Sequence, residues 1–89
     1  MADAPEVGDS RRVGAEFIIA DLELAFTFLE IARTSSVTET VRRNQGNART
    51  AYHAILRFLP RCLPALSAAE RQTIDDNLRK LKKRLEQAW

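Results

Sequence analysis

The 89-residue chain contains one cysteine, one histidine, one tryptophan, three glycines and three prolines. Each scarcity closes a route. With Cys62 alone, no disulfide can form within the chain. With His53 as the only histidine, there is no H-x-x-x-H and no C-x-x-C, so neither a metal nor a cofactor is expected. No glycine-rich loop is present to cradle a phosphate. The longest wholly apolar run, Phe17-Ile18-Ile19-Ala20, falls far short of the ~20 residues that span a bilayer. Met1 to Arg12 is polar and acidic, without the hydrophobic stretch of a signal peptide. The expectation is a cytoplasmic protein with no membrane partner.

What the chain does have is helical periodicity. Its apolar fraction of 45% is that of an ordinary globular protein, and its length suits one domain. A chain this short buries only about 60–65% of the surface its unfolded form exposes. Two S-x-x-E sequences, Ser36-Val37-Thr38-Glu39 and Ser67-Ala68-Ala69-Glu70, read as capping boxes. In such a box the serine hydroxyl accepts from the amide three residues on, and the glutamate reaches back to the serine amide. They cut the pattern into three helices. The predicted fold is all-α, an antiparallel three-helix bundle over residues 13–89, with a flexible N-terminal arm at residues 1–12. Pro5, Gly8, Asp9 and Ser10 sit among charges in that arm, and Asp9 or Ser10 would cap the first helix.

The first helix is predicted from Val13 to Arg33. Glu16, Glu23, Thr27 and Glu30 share one narrow stripe, and nearly everything else is apolar, over an arc roughly 240° wide. A surface helix usually buries an apolar stripe of ~100° or somewhat more. Either this helix is the central element of the bundle or part of its apolar face meets another chain, and the second is the expectation. Taking the core direction as that of Ala25, Ile19 and Phe26 lie farthest from it and become the candidates for that contact. Asp21 interrupts the apolar arc and is expected to be an acid at the edge of the core, either paired with an arginine of the second or third helix or unpaired and solvated.

The second helix is predicted from Val37 to Leu59, continuous across Gly46, with Pro60 ending it. Asn44 falls in the middle of its apolar face, where a buried amide would fix register. The third helix starts at Ser67. Its seam of Ile74, Leu78, Leu81, Leu85 and Ala88 has coiled-coil spacing. Its early acids and late bases suit the helix dipole. The seam is expected to pack against Leu22, Leu29, Tyr52 and Ile55.

Charge is unevenly spread. Residues 1–41 hold eight acids and three bases, and residues 42–89 hold eleven bases and four acids. The plain reading is attraction between neighbouring helices. The sharper one is a face for an anionic partner, formed by Arg42, Arg49, His53 and Arg57 on the second helix. No aromatic residue interleaves those cations, so base stacking there is unavailable. His53 has no carboxylate placed beside it to orient the ring for acid–base work. No catalytic residues are nominated, and the chain is expected not to be an enzyme.

Ala48, Tyr52, Ile55 and Pro60 follow the spacing A-x3-[FY]-x2-A-x4-P, with isoleucine at the second small position. Over residues 47–60 the chain resembles the second helix of a tetratricopeptide repeat. Neither a preceding W-x2-L-G-x2-Y helix nor a second repeat accompanies it. The whole layout is similar to MIT modules, which run helix, short link, A-x3-Y helix and final lysine-rich helix. The resemblance implies a helical docking module for peptides or partner helices. The function expected is thus a small protein-interaction or assembly module, self-associating or binding a protein partner through its first helix. The alternative is a nucleic-acid-binding protein that uses the basic face of the second helix.

Overall fold

Apolar residues at three- and four-residue spacing produce three helices and no strand among the described residues: α1 (Val7–Thr34), α2 (Thr38–Cys62) and α3 (Ala68–Ala88). The computed structural model describes the backbone of residues 7–88 and the side chains of residues 13–87. α1 and α2 form a long antiparallel hairpin. Its open end brings Phe17 against Phe58, ring centroids 6.2 Å apart and edge-on. α3 returns antiparallel to α2 and parallel to α1. At its start Arg71 Nη2 donates to the Leu63 carbonyl at 2.9 Å. At its far end Arg84 reaches Glu30 on α1, 3.5 Å away. The result is an elongated up-down-up bundle, 54 × 27 × 17 Å.

One core joins all three helices. Ile18, Leu22, Ala25 and Leu29 of α1 meet Ala48, Ala51 and Ile55 of α2, and Ile74, Leu78, Leu81 and Leu85 of α3 close over them. Tyr52 packs against this cluster half-buried, so the expected seam is the one that forms. Ile18, Ile55, Ile74 and Leu81 are the largest side chains wholly out of solvent, each worth roughly 1.5–3 kcal/mol of burial. Among the described residues every buried side chain is apolar, and no buried side-chain polar atom lacks a partner.

Three boundaries differ from the sequence reading. α1 begins at Val7, upstream of Val13, so Asp9 and Ser10 lie within its first turns rather than before them. An acid there complements the helix dipole. Residues 1–6 of the expected arm lie outside the described residues, as does Trp89 of the third helix. The first capping box does not form. α2 starts one residue late, with Val37 as an extended N-cap that makes no side-chain cap bond. Ser35 Oγ instead accepts from the Val37 amide at 3.1 Å, a local bond that competes with the cap. The second box forms as read: Ser67 N donates to Glu70 Oε1 at 3.0 Å, and Glu70 N donates to Ser67 Oγ at 3.1 Å.

Pro60 does not end α2, which runs through it to Cys62 and into a 3₁₀ turn, Leu63–Ala65. A proline inside a helix removes one backbone donor. Pro60 is on the exposed side, where water can take the freed carbonyl. The chain leaves the helical region only at Leu66, extended at φ −91, ψ 137, with Cys62 and Leu66 both turned into the core. α2 is continuous across Gly46 as expected. Asn44 is half-buried, and its amide donates to the Thr40 carbonyl one turn back at 2.8 Å, so it is satisfied within its own helix. At the hairpin's open end Gly14 has a packing role: a Cβ there would come within 2.8 Å of Cys62 Sγ.

Candidate interaction face

The hairpin has two sides, and α3 covers one. Around α1 the buried positions Ala15, Ile18, Leu22, Ala25, Leu29 and Ala32 face α2 and α3. Ile19 and Phe26 sit next to them. Both are half-buried, pack against the core, and line a groove beneath α3 with Ala69, Thr73 and Ile74. The Arg84 guanidinium lies 5.6 Å from the centre of the Phe26 ring. So the two residues read as the uncovered edge of α1 are placed against α3. The reason is angular: the core direction of α1 is that of Ile18, Leu22 and Leu29, and α3 covers the side on which Ile19 and Phe26 project.

The uncovered surface lies on the other side. Val13, Phe17, Leu24 and Ile31 of α1 and Phe58 of α2 each leave between 42% and 66% of their surface in solvent. With Ala20 and Thr27, the α1 members form a stripe spaced four, three, four, three and four. That is the spacing of a coiled-coil seam, and it could have been counted in the sequence. It was hidden because the apolar arc is so wide that two seams overlap in it.

From this stripe the surface continues across a shallow trough to α2. The trough is lined by Asp21, Phe28, Asn47, Thr50, Ala51 and Ala54. Nearer the open end, Val13, Gly14, Phe17, Phe58 and Cys62 line a second depression. Asp21 is half-buried in the trough, and among the described residues no cation pairs with it, so of the two expectations the unpaired acid at the core edge is the one that holds. Asn47 and Thr50 supply polar groups beside it.

Charged residues flank the two helices. Helical geometry places the exposed Glu16 nearest the α1 edge of the band, whereas Glu23 lines the groove under α3 and Glu30 pairs with Arg84 of α3. Arg43 and Arg61, also exposed, lie along its α2 edge, and the Arg61 guanidinium lies 6.0 Å from the centre of the Phe58 ring. Glu30 has further partners. Its hydrogen bond from Arg33 holds the Glu30 carboxyl below its ordinary range, and the charges of Arg33 and Arg84 act in the same direction.

The basic residues of α2 singled out in the sequence are all exposed: Arg42, Arg49, His53 and Arg57. They do not form an isolated cationic track. Arg49 and His53 border α3 beside Lys82 and Glu86, the His53 ring meets Tyr52 edge-on at 5.5 Å, and Arg49 is already engaged. Of the residues that carry the repeat-like spacing, Ala48 and Ile55 are in the core and Tyr52 is against it. Here that pattern serves packing inside the chain. Among the described residues, no group of three His, Cys, Asp or Glu side chains is placed to hold a metal ion. No helix among them is long and apolar enough to cross a membrane. Comparison with protein-family models, curated proteins and solved structures finds no match to this chain.

Proposed function

We propose that this chain is a small helical interaction module without catalytic chemistry of its own, and that it docks a protein partner on the side of the α1–α2 hairpin that α3 leaves open. The observation that carries the reading is the apolar band of Val13, Phe17, Leu24, Phe28, Ile31 and Phe58. Contiguous exposed apolar surface rimmed by polar residues marks interaction sites in soluble proteins. Three of its six members are phenylalanines, and aromatic residues are enriched at interface cores. It spans two rigid helices, so a partner would find it preformed.

A photo-activatable side chain tests this directly in cells that make the protein. Placed at Leu24 or at Phe58, it is expected to capture a protein adduct. Placed at Lys80, on the exposed side of α3, it is expected to capture none. Equal capture at all three positions, or none at Leu24 and Phe58, overturns the proposal.

A further inference from the structure

We infer that the side of the bundle shared by α2 and α3 binds the phosphate backbone of a nucleic-acid duplex without reading its bases. This side lies apart from the open apolar band, and neither reading depends on the other. The sequence prepares it by omission. No carboxylate occurs in residues 40–69 or in residues 77–85, while those two stretches carry ten lysines and arginines. Folding then gathers part of that charge. α3 returns antiparallel on α2, and Arg49, Tyr52 and His53 of α2 meet Lys82, Leu85 and Glu86 of α3 around one depression. One turn further along α2 and one turn back along α3, Arg57 comes level with Arg79. Arg57, Arg79, Lys82 and Lys83 are all exposed, and none of them has an ion-pair partner among the described residues. The acids of α3 that flank this cluster stand only at its two ends, Asp75 and Asp76 at one and Glu86 at the other.

Cations held side by side on packed helices repel one another, and an anion that meets several at once relieves that repulsion. A nucleic-acid backbone does so, and each phosphate it neutralises releases counterions. Three features select a duplex among polyanions. First, this side offers no stacking platform: Tyr52 is half-buried, and the His53 ring already meets it edge-on. Single strands draw much of their affinity from stacking on aromatic rings, whereas a duplex keeps its bases stacked within itself. Second, Leu56 is the one large apolar side chain exposed on this side, and a helix lying in a bilayer surface buries a continuous apolar face. Third, the cations stand in rows on two helices about 8–10 Å apart. That fixed array suits the regular phosphates of a duplex better than the irregular acids of a protein surface.

Fluorescence anisotropy of a labelled DNA duplex of about 20 base pairs, titrated with the full chain between about 50 and 200 mM salt, tests this. Wild type is expected to bind with a dissociation constant of about 10⁻⁴–10⁻⁶ M near physiological salt. Four cations on phosphates predict a slope of log K against log salt of about −3 to −4. Arg79→Gln with Lys82→Gln takes two charges from the cluster and is expected to flatten that slope by about 2 and to weaken binding about tenfold or more. Arg43→Gln with Arg61→Gln takes the same charge from the opposite edge of α2 and is expected to change neither. All four residues are exposed, and an unchanged circular dichroism spectrum shows that the fold is kept. Equal losses in the two double variants mean that net charge alone attracts the duplex, and overturn the inference. Wild type that fails to bind at the lowest salt, or that binds the single strand more tightly than the duplex, overturns it as well. So does displacement of the duplex by phosphatidylserine vesicles or poly-glutamate, at equal charge concentration, as readily as by unlabelled duplex.

Discussion

The two sides of the α1–α2 hairpin both carry large apolar side chains, and these have different fates. On one side Ile18, Leu22, Leu29 and Ile55 lie under the leucine seam of α3 and lose their solvent. On the other, Phe17, Leu24, Ile31 and Phe58 keep 42% or more of theirs. Both sides come from the same helices. The covered side is aliphatic at its centre, with Phe26 and Tyr52 at its margins, and interlocks with another aliphatic seam, which favours dense packing. The open side carries Phe17 and Phe58, which meet edge-on and both stay exposed. Apolar residues on a helix therefore do not define a core by themselves; the element that lands on them does.

Substitutions on the two sides can break this contrast. The largest effect is expected from Leu81→Ala, which empties a fully buried site on α3 and should cost about 2–5 kcal/mol in denaturant unfolding. Leu24→Ala on the open side should change the stability of the dilute chain by no more than about 0.5 kcal/mol. Similar losses from both would mean that the open side is covered within the chain.

A smaller loss is expected at the seam between α1 and α2. Gly14→Ala drives a methyl group to within 2.8 Å of Cys62 Sγ and should cost about 1–3 kcal/mol, by thermal melting, through overpacking. Gly46, with nothing within 4 Å of an added Cβ, should gain about 0.5–1 kcal/mol in the same substitution. A neutral Gly14→Ala would mean that the hairpin's open end is looser than its packing indicates.

The smallest effect separates the two serines. Ser67→Ala removes the cap that starts the covering helix and should cost about 0.5–2 kcal/mol. Ser36→Ala should cost nothing measurable, because Ser36 is exposed and Val37 occupies the cap position. Hydrogen exchange should then quicken at the start of α3 in the first variant and nowhere in the second. An equal cost for the two would put the first capping box back.

The three helices, the α3 seam and the Ser67–Glu70 box were legible in the sequence because each is set by neighbours within one or two turns. The failures have a common cause in competition or in distance. Ser36-Val37-Thr38-Glu39 has the letters of a box, yet Ser35 takes the Val37 amide and the helix starts late. Pro60 reads as a stop, yet on an exposed turn the missing donor leaves a carbonyl that water can reach. The 240° apolar arc of α1 correctly announced more surface than the chain covers. It did not say which part, because periodicity gives the angle between Ile19 and Leu24 but not the side on which α3 settles. That side depends on the path of residues 63–67.

The contact between Gly14 and Cys62 carries a kinetic consequence. Cys62 holds the chain's sole thiol and is buried at the open end of the hairpin. Cys62 lines a depression but keeps only 5% of its surface in solvent, so full access for a thiol reagent needs that end to separate and the rate of modification rises with separations. If reclosing is fast, the rate scales with the population of the opened form; if the reagent wins, it equals the opening rate itself. The native sequence thus contains its own clock for the motion of the face on which a partner would dock, and a bound partner would slow it.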